Sequence, residues 1–238
     1  MSGWRSQSND HSIGIDVGAL GVEPPPPGRF RGPTTRAERL AIVVLVLVVG
    51  GAIAGGWYLR EQHRPARRVL PAPIHPAALI VPIGSFPQDR LQNLPHDYGA
   101  AYGLTMTIGP AITLPTAAYD ASRRQYVAQD LLTAMRQARP PTLDPNAIVI
   151  GVTTADIYIR DVAWNWAFAL REQGTSAVIS VARMPNTRRL NRWTLFGKMM
   201  TREVGFMCFG LPATDDPYDV LYREILSVSD LDRLFDQL

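Results

Sequence analysis

Glu203 is the residue of this chain best placed by its neighbours to do chemistry. It lies in the stretch TREVGFMCFGLP, residues 201–212, on a segment with helical apolar spacing. A glutamate in that setting is a general base when two histidines four residues apart, the first directly before it, hold a zinc ion whose bound water it deprotonates. Here the two histidine places hold Arg202 and Phe206. Arginine is permanently charged and repels a cation, and a phenyl ring offers no ligand atom. Without the metal, Glu203 faces water too weakly acidic to yield a useful nucleophile. It is then a vestigial base, or a charge that merely pairs with Arg202 or Lys198.

Other ligands are scarce. Cys208 is the only cysteine, which excludes an internal disulfide and a multi-cysteine zinc cluster, and His11, His63, His75 and His96 all lie far upstream with no helical pairing among them. Asp215 and Asp216 could join Glu203 and Cys208 around a metal, but acidic pairs beside a proline are usual turn formers. No metal and no other cofactor is therefore expected. Cys208, flanked by Met207 and Phe209 with no histidine to activate it, reads as buried rather than nucleophilic.

A second candidate group comes after an apolar run. In TTADIYIRDVAWNW, residues 153–166, Asp156, Tyr158, Arg160, Trp164 and Trp166 bring an acid, a guanidinium and aromatics to a place where proteins of alternating strands and helices often carry binding groups. The plainer alternative makes the tryptophans core and the charges loop caps.

The elements that position these residues can be read from periodicity. At about 100° per residue, Trp193, Phe196, Met200, Val204 and Met207 gather on one stripe of a helix over roughly 189–208, and Met199, Arg202, Glu203 and Phe206 on another about a quarter-turn away. Four apolar runs without alternation read as strands covered on both faces: Leu79–Ile83, Leu104–Leu114 (interrupted at Gly109-Pro110), Ala147–Val152 and Ala177–Ala182. Residues 124–138 place Val127, Leu131, Met135 and Ala138 on one helical face, and Pro140-Pro141 stops that helix. The pattern predicts an α/β or α+β domain with a mixed sheet.

The first 76 residues differ in kind. They hold nine arginines against five acids, a balance of +4, while residues 77–238 hold fifteen basic and sixteen acidic residues, a balance of −1. A near-neutral domain lacks the concentrated basic footprint of nucleic-acid binding, so no nucleic-acid partner is expected. Residues 1–39, with Pro24–Pro27, read as a disordered arm. Residues 40–59, LAIVVLVLVVGGAIAGGWYL, carry no charge and match the ~30 Å hydrocarbon core as a single membrane span. A signal peptide cleaved near Ala54 is the alternative, although the preceding segment is long for one. Arginines flank the span equally, with Arg29, Arg31, Arg36 and Arg39 before it and Arg60, Arg64, Arg67 and Arg68 after it. The larger C-terminal domain is expected outside the cytoplasm, because a lone span near the start usually translocates the large domain after it. Residues 60–76 read as a basic Arg/Pro linker near anionic head groups.

Five stretches, in order, resemble the archaemetzincins, a family of metzincin-type zinc metallopeptidases: LIVPIGSFP (79–87), LPTAAYDASRRQYVAQDLL (114–132), IGVTTADIYI (150–159), AVISVARM (177–184) and ILSVSDLD (225–232). The resemblance implies an α+β fold, a metzincin-like mixed sheet on two main helices, over residues 77–238. It also implies H-E-x-x-H-x-x-G-x-x-H on the last long helix, followed by cysteines for a second zinc. On that frame the ligand positions are Arg202, Phe206 and Pro212, the glycine comes one place late at Gly210, and only the glutamate, Glu203, is retained. The methionine-turn region reads DVLY at 219–222, and the cysteine site has no counterpart.

These readings imply a membrane-tethered, catalytically degenerate archaemetzincin-like domain binding a peptide or protein partner. A sheet-edge strand supplied by WNWAFAL, residues 164–170, would pair with an extended chain, as metzincin edge strands do with substrate. The alternatives are an active hydrolase with an altered site using Glu203, and a structural envelope component whose old cleft is packed shut around Arg202 and Phe206.

Overall fold

The computed structural model describes residues 68–172 and 175–238. The expected arm at 1–39, the span at 40–59, the cleavage site near Ala54 and residues 60–67 lie outside them. Among the described residues no helix is long and apolar enough to cross a membrane.

The uninterrupted apolar runs form the middle of a five-stranded sheet. Its strands are β1 (Ala77–Ile83), β2 (Thr105–Ile108), β5 (Ile148–Thr153), β7 (Ala169–Glu172) and β8 (Ser176–Ser180), in the order β2-β1-β5-β8-β7. β1 runs parallel to both β2 and β5, β5 runs parallel to β8, and β7 alone is antiparallel. Every residue of β5 and β8 is buried, as strands covered on both faces require.

One face is covered by α2 (Ala128–Gln137), whose Leu131, Leu132 and Met135 pack with Leu79, Val81, Val149 and Val178. Gly151 makes that approach possible, because a Cβ there would stand 2.1 Å from Met135 Sδ. The other face is covered by α3 (Arg192–Phe209), whose Leu195, Met200 and Val204 pack with Ile80, Ile150 and Ile179. This is the expected mixed sheet on two main helices. Both expected stripes of α3 go inward, since Met199 and Glu203 are buried along with Met200. Asn191 caps α3 by accepting from the Trp193 N–H, and Gly210 ends it in the left-handed conformation at φ +62°.

Several features depart from the sequence reading, beginning with the run expected at Leu104–Leu114: only Thr105–Ile108 forms a strand, and as the sheet edge it leaves Thr105 and Thr107 exposed instead of being covered on both faces. The helix expected from 124 starts at Ala128, because Gln125–Val127 form a strand, β4, after a turn in which Arg124 takes φ +55°. β4 lies between β3 (Tyr119–Asp120) and β6 (Ile157–Tyr158) in a small second sheet too short to register as apolar runs. Two short helices, α1 (Leu94–Tyr102) and α4 (Val228–Arg233), were also illegible as periodic segments. α4 begins at a reciprocal cap: Ser227 Oγ accepts from the Asp230 N–H and donates to Asp230 Oδ2.

The part of the expected linker that is described is held to the domain. Arg68 Nη2 donates to Asp219 Oδ2 at 2.6 Å, Leu70 packs against the core, and the His75 N–H donates to the Cys208 carbonyl at 3.1 Å. The boundary expected at residue 77 therefore falls within packed structure.

Candidate functional site

A cleft of about 590 Å³ runs between α3 and the strand β7. Residues 163–171 form one wall, Met199, Arg202 and Glu203 its floor on the helix, and residues 223–226 the opposite wall. The groove is open, contrary to the filled cleft expected of a purely structural domain, and Arg202 and Phe206 are half-buried rather than sealed.

Glu203 sits at 3% exposure and accepts a hydrogen bond from Arg171 Nη1 at 3.0 Å. Burial pushes its carboxyl above the usual range, and the Arg171 and Arg202 charges pull against that rise. The Arg171 guanidinium also lies over the Phe206 ring, 4.0 Å from its centroid, and that of Arg202 lies over the same ring at 4.8 Å. Arg202 donates to the carbonyls of Val220, Tyr222 and Arg223, tying α3 to the far wall. Burial lowers its pKa, against the Glu203 charge. Arg202, Glu203 and Phe206, adjacent on one helix stripe, thus meet a fourth residue, Arg171, from the sheet edge. The expected pairing of Glu203 with Arg202 or Lys198 gives way to this one. Lys198 points elsewhere, to the Asp232 carbonyl. Pro212 is exposed beyond the helix end and does not line the cleft.

Sequence reading missed Arg171. The only local signal was alternation in Ala169-Leu170-Arg171-Glu172, which sends Ala169 and Arg171 to the α3 face and Leu170 and Glu172 to the α2 face. Glu172 pairs there with Arg136.

The second candidate group divides. Trp164, half exposed at 51%, and Trp166, packed edge-on to Phe168 at 4.7 Å, line the cleft. Asp156, Tyr158 and Arg160 do not. Asp156 is gripped by Arg183 Nε and Nη2 and by Gln125, Tyr158 donates to Asp120 at 2.9 Å, and Arg160 pairs with Asp130 at 2.7 Å. These three are loop and sheet-edge ties, the plainer reading of that group. Cys208 is buried, and burial pushes its thiol up to about 12, so it is inert as a nucleophile. Asp215, offered as a possible ligand, pairs with Arg223 in the open.

β7 itself is an open edge. The Ser180 N–H donates to the Phe168 carbonyl, which sets the phase of the antiparallel ladder. The backbone groups of Leu170 and Glu172 then face β8, and those of Ala169 and Arg171 face outward. Among the described residues no further strand pairs with them. The strand expected at 164–170 thus begins later: residues 164–168 lead into it, with the Ala167 N–H held by the Ile157 carbonyl.

The same architecture occurs in solved structures. Archaemetzincin from Methanopyrus kandleri is 26% identical with a TM-score of 0.57 over 68% of this chain and 88% of that one. Archaemetzincin from Archaeoglobus fulgidus, solved with malonate, is 25% identical with a TM-score of 0.55 over 67% of this chain and 94% of that one. The fold is that of the archaemetzincins. A zinc-dependent peptidase from Methanocorpusculum labreanum, 19% identical, shares the archaemetzincin-like fold with a TM-score of 0.52 over 67% of this chain and 94% of that one. No protein-family model matches the chain, and no curated protein matches it.

Proposed function

We propose that this protein is a membrane-tethered, non-hydrolytic archaemetzincin-like domain that binds an extended peptide along β7. The observation that carries the reading is the Arg171–Glu203 ion pair on the cleft floor, covered by Phe206. A carboxylate engaged by a guanidinium at 3.0 Å is a poor general base, because the charge it would offer a water molecule is already neutralised.

The residues in hand do not fit a zinc ion. One carboxylate, two guanidiniums and a phenyl ring offer a single ligand atom type and place two positive charges where a cation would stand. Among the described residues no group of three His, Cys, Asp or Glu side chains is placed to hold a metal. What remains suited to binding is the geometry: outward amide and carbonyl groups on β7, an open cleft beside them and tryptophans on its wall. Tethering rests on the uncharged stretch 40–59, whose length matches the ~30 Å hydrocarbon core.

The test is a display selection of random peptides on the detergent-solubilised full chain, followed by titration of the selected peptides and assay for their cleavage with added zinc. Binding without cleavage is expected. Ala169→Pro, which removes one outward donor at a position where an edge strand tolerates proline, should weaken binding about tenfold. Cleavage that depends on zinc and on Glu203 would sink the non-hydrolytic reading, and unaltered binding by Ala169→Pro would sink strand addition.

A further inference from the structure

We propose that the cleft selects a peptide with an acidic side chain opposite Arg171 and a large apolar side chain two residues away, opposite Ala169. The inference rests on the reading of β7 as a peptide-binding edge and specifies what that edge recognises.

The register comes from the ladder. When a strand adds to β7, residues directly opposite one another point to the same face, with Cβ atoms about 5 Å apart. Arg171 points to the α3 face, where its guanidinium meets Glu203 and Phe206. A peptide residue opposite it therefore projects into the cleft toward Arg171 and Arg202. The alternation of side chains then directs the residue two places away, opposite Ala169, into the same groove.

Charge decides the first position. Arg171, reaching Glu203 from the β7 wall, and Arg202 bring two cations to the bottom of the cleft, against one buried carboxylate, Glu203. Arg202 is bonded to three backbone carbonyls and, among the described residues, to no carboxylate. Arg223 on the opposite wall is already paired with Asp215, and Glu224 beside it is exposed, where solvent screens its charge. One further negative charge on the floor is thus complementary, and guanidiniums hold carboxylates through charge-assisted hydrogen bonds.

Shape decides the second. Ala169 presents only a methyl group, leaving room beside it. Trp164 and Leu226, 51% and 59% exposed, stand on the two walls, and half-buried Trp166, packed on Phe168, lines the cleft with them. Large apolar groups facing each other across an open groove are covered when a third is inserted.

The experiment titrates the wild-type full chain in detergent with end-blocked octapeptides, read by tryptophan fluorescence. The parent peptide carries leucine and glutamate two positions apart in both orders. Its companions replace glutamate by glutamine, replace leucine by serine, or move the only carboxylate to a free C-terminus. The parent should bind about tenfold or more tightly than the glutamine and serine peptides. Arg202→Met should erase the preference for glutamate, and Arg202→Lys should keep part of it. Equal binding of the glutamate and glutamine peptides would overturn this inference and leave peptide binding standing. Binding of the free C-terminal peptide alone would overturn the internal register, and binding of none would overturn both readings. If Arg202→Met does not fold, the wild-type comparison still decides, since only the glutamate peptide should lose affinity as salt rises from about 50 to about 500 mM.

Discussion

Two regions of this molecule assemble the same three chemical parts, an arginine, a carboxylate and an aromatic ring, with opposite results. In the small sheet, Arg123 lies over Tyr158 at 4.2 Å and Asp120 accepts from Ser122, from the Tyr158 hydroxyl and from two backbone amides. Those donors hold the Asp120 carboxyl down to about 2, the Ser122 side chain contributing most. In the cleft, Arg171 lies over Phe206 and bonds Glu203, yet burial raises the Glu203 carboxyl. The difference is hydration. A half-buried acid at a strand end, still reached by water, gains from every donor it meets, whereas one at 3% exposure first loses its water, and a single guanidinium repays only part of that loss. Residue types alone do not say which of these environments a trio will occupy.

The contrast breaks most visibly at Arg171. Arg171→Ala leaves a buried carboxylate without its partner and should lower stability by about 3 kcal/mol in urea unfolding at pH 8, toward the low end because Arg171 is itself 36% exposed. The loss should shrink toward about pH 4.5 as Glu203 takes up a proton, and adding Glu203→Gln should recover most of it. A loss unchanged by pH would show that Arg171 acts by packing alone. Phe206→Ala, which removes the ring between two guanidiniums, should cost about 2 kcal/mol by the same measurement.

Glu203→Gln should act in the other direction. Because burial raises the folded-state pKa of Glu203, the unfolded chain ionises first as pH rises, and the native state loses stability from the ordinary carboxylate range upward. The neutral variant should therefore melt a few degrees higher than wild type at pH 8, with the two curves meeting near the ordinary value of 4.5. A lower midpoint at pH 8 would mean that the ion pair outweighs desolvation.

Asp120→Asn should have the smallest effect at neutral pH. Its depressed pKa stabilises the fold above the ordinary value of 3.8 and loses that contribution as pH falls through about 2. In an acid titration followed by fluorescence, the gap to wild type should thus stay constant above the upper value and close between the two, where wild type loses a contribution that the variant never had. A difference that persists unchanged to pH 2 would place the role of Asp120 in turn geometry rather than in its charge.

Much of this protein was legible in one dimension. The apolar runs at 79–83, 147–152 and 177–182 determined three strands, because a strand covered on both faces needs no alternation and announces its burial in every residue. The helical spacing from Trp193 to Met207 determined α3 and placed Arg202, Glu203 and Phe206 on one stripe. The small sheet and short helices were not legible, since strands of two or three residues carry no period, and Gln125–Val127 continued the apparent rhythm of α2. Nor did sequence say that Asp156, Tyr158 and Arg160 would be consumed by partners on other elements while Trp164 and Trp166 turned to the cleft. Above all, only the tertiary structure decided which cation meets Glu203. Arg171 lies 32 residues upstream on another element, and long-range pairing depends on how β7 packs across α3, which no local pattern of residues encodes.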